Sequence, residues 1–158
     1  MKWSEVIEEN RKKLIEALEK EFKTAVKYRH LQCVTEIYKS GKIRTWECAA
    51  GSTSYSYDSW KGESLVVGTF CFQNIDIEVA EEDFRRHMTE DEQKDVTWKA
   101  KEDNLSFLNY VYSSGNYTEL IEEVEQEWLE WYIDEYAYST ACDTVEYKLS
   151  DELRCEGV

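Results

Sequence analysis

The spacing of apolar residues changes period twice along this chain, and that order of periods limits the fold more than any other feature. From Ser4 to about Arg29, Ile7, Leu14, Leu18, Phe22, Ala25 and Val26 recur at helical intervals, with no Gly or Pro between them. Glu8 with Lys12, Glu9 with Lys13, Glu16 with Lys20 and Glu19 with Lys23 stand four apart with Glu first, the favourable order for helical ion pairs. The spacing predicts a helix of roughly 40 Å at ~1.5 Å per residue. Proline is absent from the chain, which is compatible with long uninterrupted elements.

The period then falls to two. Leu31 to Tyr38 and Lys42 to Ala49 are rich in β-forming residues and flank Ser40-Gly41, which predicts a hairpin with Cys33, Thr35 and Ile37 on one face. Ser64 to Phe72 reads as a further strand, with Ile75 and Ile77 as a candidate extension, so three or four antiparallel strands are expected. Glu81 to Met88 suits a short helix, and Thr89 with Glu92 has the spacing of a capping box. Residues 89–102 stay open between two states: Val96, Trp98 and Ala100 alternate as in a strand, while Lys94, Lys99, Glu102 and Asp103 suit a helix. Leu105, Leu108, Val111 and Tyr112 return to helical spacing until Ser113-Ser114-Gly115. Tyr117 to about Tyr136 predicts a second long helix, and Val145, Tyr147 and Leu149 alternate as a late strand would. The expectation is an α+β fold, one compact domain over residues 1–158. A small antiparallel sheet of three or four strands packs on two long helices (about 4–29 and 117–136) and one or two shorter ones.

Charge is placed unevenly on this scaffold. Residues 1–40 hold nine Lys/Arg against seven Asp/Glu, whereas residues 116–158 hold two against thirteen, so most of the net −15 lies in the last quarter. Such a segment repels nucleic acid and acidic membranes, and a partner steered to it must be basic. With 42% apolar and 14% aromatic residues the chain can still bury a core, so acidity here does not imply disorder. Glu5, Glu8 and Glu9 stand where a signal peptide needs apolar residues, and no stretch approaches the ~18 of a membrane span, so a cytoplasmic protein is expected. Five cysteines without a C-x-x-C pair indicate neither a disulfide framework nor a zinc knuckle, and buried reduced thiols are expected.

On a wheel of the last predicted helix, Leu120, Val124, Trp128, Trp131 and Tyr132 share one arc, with Ile121 beside it. The opposite arc holds Glu119, Glu122, Glu123, Glu127, Glu130 and Asp134, over roughly 22 Å of axis. That is about one carboxylate per 4 Å, close to the ~3.4 Å phosphate spacing of a DNA strand. Two readings compete: a solvated face that keeps an acidic protein soluble, and a row of phosphate surrogates. Glu119 with Glu123, Glu123 with Glu127, and Glu130 with Asp134 are like charges four apart, each costing a few tenths of a kcal/mol in a helix. The first helix avoids that cost with Lys, which favours the second reading.

Ser52 to Trp60, with Tyr55 and Tyr57, has the Ser/Tyr composition of a binding loop and equally that of a half-exposed strand. Tyr136 and Tyr138, beside acidic residues, suit recognition of arginine-rich surfaces. Catalytic signals are weak. His30 lies near Cys33, whose strand position favours burial, and Glu81, Glu82, Asp83 and His87 match no metal-binding spacing. Phosphate-loop, dinucleotide and nucleophile-elbow motifs are missing.

The sequence therefore predicts no enzyme, no cofactor, no metal, no membrane and no direct nucleic-acid binding. It predicts an acidic inhibitor whose carboxylates (Glu119, Glu122, Glu123, Glu127, Glu130, Asp134) block the nucleic-acid groove of a basic partner, with Tyr55, Tyr57, Trp60 and Tyr136 as aromatic anchors. In composition alone, small acidic proteins of this kind resemble phage-encoded antagonists of restriction or CRISPR systems. A second reading is a regulatory or assembly protein that binds through the Ser/Tyr segment. A third is a small-molecule binder or enzyme with a Trp/Tyr pocket. Oligomeric state stays open, although a net −15 opposes self-association through the acidic face.

Overall fold

Six helices and three strands follow one another in the computed structural model, which describes residues 2–51 and 64–156: α1 (Trp3–Glu9), α2 (Arg11–Lys27), β1 (Leu31–Tyr38), β2 (Ile43–Ala49), β3 (Ser64–Cys71), α3 (Glu81–Arg86), α4 (Glu90–Glu102), α5 (Phe107–Ser113) and α6 (Thr118–Cys155). This is an α+β fold with one antiparallel sheet in the order β2-β1-β3. The chain forms two compact units, Met1–Ile75 with Tyr132–Val158, and Asp76–Trp131.

In the first unit the predicted opening helix is interrupted once. Asn10 leaves helical geometry (φ −110°, ψ 15°), and its side-chain amide donates to the Val6 carbonyl at 2.8 Å. Asn thus competes with the backbone for a helix acceptor, and the chain restarts as α2. Ile7, Leu14, Leu18, Phe22, Ala25 and Val26 are all buried, as their spacing requires. Of the four Glu–Lys pairs only Glu19–Lys23 forms, at 3.6 Å; Glu8 instead pairs with Arg11 at 2.6 Å.

The hairpin closes through Gly41, whose φ of +90° suits glycine, and a Cβ there would stand 3.2 Å from Asn10 Nδ2. β1 is central, pairing Thr35 with Thr45 on one side and with Gly68 on the other. Its pairing with β3 slips between Thr35 and Glu36, a bulge that places Val67 as an extra residue. The expected extension through Ile75 and Ile77 does not form, since residues 72–80 hold no strand. The expected late strand is also corrected. Val145 and Leu149 are as well spaced for a helix as for a strand, and with Ala137 and Ala141 they make the buried stripe of α6, while Tyr147 is 76% exposed. Phe22 sits among Phe70, Phe72 and Tyr132, with ring centroids 4.8–5.8 Å away.

On β3, Gly68 stands against both α2 and α6. A Cβ there would lie 2.7 Å from Thr144 Cγ2 and 3.1 Å from Leu18 Cδ2. Thr144 cannot turn away cheaply, because its hydroxyl donates to the Thr140 carbonyl at 2.7 Å. Gly68→Ala is therefore expected to cost about 1–3 kcal/mol by overpacking. Thr144→Ser, which removes the opposing methyl, should restore most of the loss in a double-mutant cycle read by denaturant unfolding.

Glu21 is buried (2% exposed) on α2 beside Cys33, Thr45 and Glu47. Desolvation and the like charge of Glu47 raise its pKa, although Thr45 and Cys33 donate to it. The folded state thus holds this proton to higher pH than the unfolded chain. Its stabilising contribution is complete below the unfolded pKa and is lost as pH rises through the folded one. Glu21→Gln should raise Tm by about 2–4 °C at pH ~8, and its advantage should shrink as pH falls toward ~4. A pH-independent difference would contradict this.

The second unit has its own core of Phe84, Met88, Val96, Ala100, Phe107, Tyr110, Val111 and Val124. Residues 90–102 resolve as helix α4, with Val96 and Ala100, four apart, turned inward and Trp98 66% exposed. The capping box forms as predicted: Thr89 Oγ1 accepts from Glu92 N–H, and Glu92 Oε1 accepts from Thr89 N–H, both at 3.2 Å. Ser106 caps α5 through the Asn109 N–H at 3.1 Å.

Candidate functional site

The predicted acidic face lies on α6. In the second unit, Val124 enters the core with Leu120 and Ile121 packed against it, which turns the opposite side of these helical turns to solvent. Glu119, Glu122, Glu123 and Glu130 are exposed and Glu127 is half-buried; Asp134, on the stretch of α6 in the other unit, is also exposed. α6 carries no Lys or Arg before Lys148. Among the described residues, Glu119, Glu122 and Glu130 make no ion pair.

The middle of the row is different. His87, just past the end of α3, inserts its ring between two of the carboxylates, with Nδ1 3.4 Å from Glu123 Oε1 and Nε2 3.0 Å from Glu127 Oε1. Arg86 Nη2 lies 3.9 Å from Glu127 Oε2 and 2.8 Å from Asp83 Oδ1. The face is therefore not an uncompensated stripe: two of its carboxylates meet cationic or titratable partners, Arg86 at the end of α3 and His87 just beyond it. Asp83 also accepts from the Ala80 N–H at 2.8 Å, and this bond, with Arg86, holds its pKa below the usual range. Glu81 is engaged by Arg85 at 2.9 Å. Along the chain, His87 has Glu81, Glu82 and Asp83 as its acidic neighbours. The fold gives it Glu123 and Glu127, from more than thirty residues away, and no local pattern announces that pairing.

Trp128 and Trp131, expected inside, behave differently. Trp131 is 50% exposed, and the two rings, 6.0 Å apart, line a cleft of about 450 Å³ with Asp83, Arg86, Val124 and Glu127. Leu129 is buried in their stead. Tyr136 is 41% exposed, its ring centroid 4.9 Å from that of Tyr132, and Tyr138 is 63% exposed. The predicted anchors Tyr55, Tyr57 and Trp60 lie outside the described residues.

The weak catalytic candidates separate in space or in chemistry. His30 is exposed beside Tyr28, while Cys33 is fully buried and its thiol is pushed up to about 12 by desolvation and by Glu21. A thiol so rarely ionised is no nucleophile at neutral pH. Buried thiols were expected throughout, yet Cys71 and Cys155 are exposed. Among the described residues, no helix is long and apolar enough to cross a membrane. Comparison with protein-family models, with curated proteins and with solved structures returns no match.

The unpaired carboxylates repel one another through solvent, a term that salt screens. Tm should therefore rise between about 0.05 and 0.5 M NaCl, and the slope should flatten in the Glu119→Gln, Glu122→Gln, Glu130→Gln triple variant. Thermal melts of both proteins across that range check it; parallel slopes would contradict it.

Proposed function

We propose that this chain is a non-catalytic acidic binding protein that occupies the nucleic-acid groove of a basic partner and excludes the nucleic acid by competition. The reading rests chiefly on the exposed carboxylates of Glu119, Glu122 and Glu130, which have no ion-pair partner among the described residues, on a helix without a basic residue before Lys148. A solvated face is normally laced with both signs of charge, as in α2; a single-sign face is the arrangement that steers an oppositely charged surface. On the stretch of α6 that belongs to the other unit, Asp134 and Tyr136 are exposed, and an exposed aromatic ring can supply salt-insensitive affinity. A protein acting in this way is an antagonist of nucleic-acid enzymes, of the anti-restriction or anti-CRISPR kind, working in the cytoplasm of a host cell.

The test is displacement of a labelled DNA duplex from purified restriction and CRISPR nucleases at low and high salt. For a nuclease that the parent inhibits, the triple Glu119→Gln, Glu122→Gln, Glu130→Gln variant should need about tenfold more protein for the same displacement, and the parent should weaken as salt rises. Unaltered inhibition by the variant would remove α6 from the mechanism.

A second reading, a regulatory or assembly protein with an aromatic interface, is favoured by the exposure of Tyr136, Tyr138 and Tyr147 along α6. Binding of that kind would resist salt and fail on substitution of those tyrosines.

A further inference from the structure

We infer that His87, Glu123 and Glu127 form a binding site for a divalent first-row metal ion of the zinc or manganese class. The three side chains place one ligand atom each within 4.8 Å of one another. Glu123 and Glu127 stand four apart on α6 and so share a face, and His87 reaches them from beyond the end of α3.

The geometry around the imidazole fits a metal site. His87 Nε2 is buried and 3.0 Å from Glu127 Oε1, yet it makes no hydrogen bond. The oxygen is close enough but stands off the ring N–H axis. Two donors bound to one ion at ~2.1 Å, with ligand angles between about 90° and 109°, are about 3.0–3.4 Å apart and point at the ion rather than at each other. The observed separation falls in that range, and the missing alignment is what the arrangement requires. Without an ion, a buried ring nitrogen is left unsatisfied, which is costly; an ion on Nε2 removes that cost. Glu123, whose side chain is 59% exposed, lies 3.4 Å from Nδ1, the other ring nitrogen, and would have to turn toward the Nε2 edge to share the ion.

The donor set selects the ion. One imidazole nitrogen with two carboxylate oxygens suits zinc or manganese; calcium and magnesium prefer oxygen alone, and copper(I) prefers sulfur. Arg86 approaches the other oxygen of Glu127 at 3.9 Å and is itself drawn to Asp83, so it leaves Oε1 to the ion. Three protein donors leave coordination positions for water or for a donor from outside, and Glu127 also lines the Trp128/Trp131 cleft, which offers a path to the site. The ion would tie the end of α3 to α6 and cancel two negative charges in the middle of the acidic face. The inference does not rest on the proposed groove-blocking role, because it uses His87, while that role is tested at Glu119, Glu122 and Glu130.

The full chain, stripped with a chelator and dialysed, is titrated with zinc and, separately, manganese by calorimetry, with cobalt(II) as a spectroscopic probe. One ion per chain should bind with a Kd of about 10 μM or tighter and raise Tm. His87→Gln and Glu127→Gln should each weaken zinc binding at least about tenfold. Glu123→Gln, on an exposed side chain, should report the same loss without disturbing the packing of the half-buried His87 ring. The cobalt spectrum should show no thiolate charge-transfer band. No stoichiometric binding, equal affinity in the parent and in Glu123→Gln, or a thiolate band that places the ion on the cysteines would each overturn the inference.

Discussion

Burial of the two apolar stripes of α6 is the constraint from which the rest follows. In the larger unit Ala137, Ala141, Val145 and Leu149 recur every fourth residue and are buried. Thr144, beside Val145, meets β3 where only a glycine fits, at Gly68. Small residues at the seam permit that close approach, and close packing converts it into dispersion and hydrophobic gain. In the smaller unit Val124 plays the corresponding part, entering a core built from α3, α4 and α5. With Val124 inside the smaller unit, the opposite side of the helical turns around it faces water. Glu119, Glu122 and Glu130 are exposed as a consequence.

That outward side is electrostatically divided. Its middle carboxylates, Glu123 and Glu127, hold an imidazole between them, whereas those toward either end have no ion-pair partner among the described residues. An exposed ion pair contributes only about 0–1 kcal/mol, so pairing with α3 is a weak reason for these acids to be there. The roles proposed for them are holding a cation at the centre and meeting a basic surface along the face. The two are compatible, since an ion at Glu123 and Glu127 would leave the terminal carboxylates free to meet a partner.

Much of this was legible from periodicity. The hairpin at Ser40-Gly41, the strand beginning at Ser64, the capping box at Thr89 and the burial of Leu14, Leu18 and Phe22 all follow from local rules that the fold does not override. The errors arose where one pattern served two periods. Val145, Tyr147 and Leu149 alternate, yet two of them are also four apart, and only the neighbouring Ala137 and Ala141 reveal that the helix continues. The wheel placed Trp131 inside because a large aromatic ring counts as apolar, whereas the ring lies half in solvent on the wall of a cleft. His87 could not have been matched to Glu123 and Glu127, since that contact depends on where α5 returns the chain.

Carboxyl labelling with a water-soluble carbodiimide, read residue by residue by mass spectrometry with and without a nuclease that the protein inhibits, tests the groove-blocking account most directly. The account predicts that Glu119, Glu122 and Glu130 label readily in the free protein and are protected in the complex, while Glu5 and Glu9 on α1 label equally in both. Unchanged labelling of all three α6 carboxylates in a complex that still inhibits would contradict it.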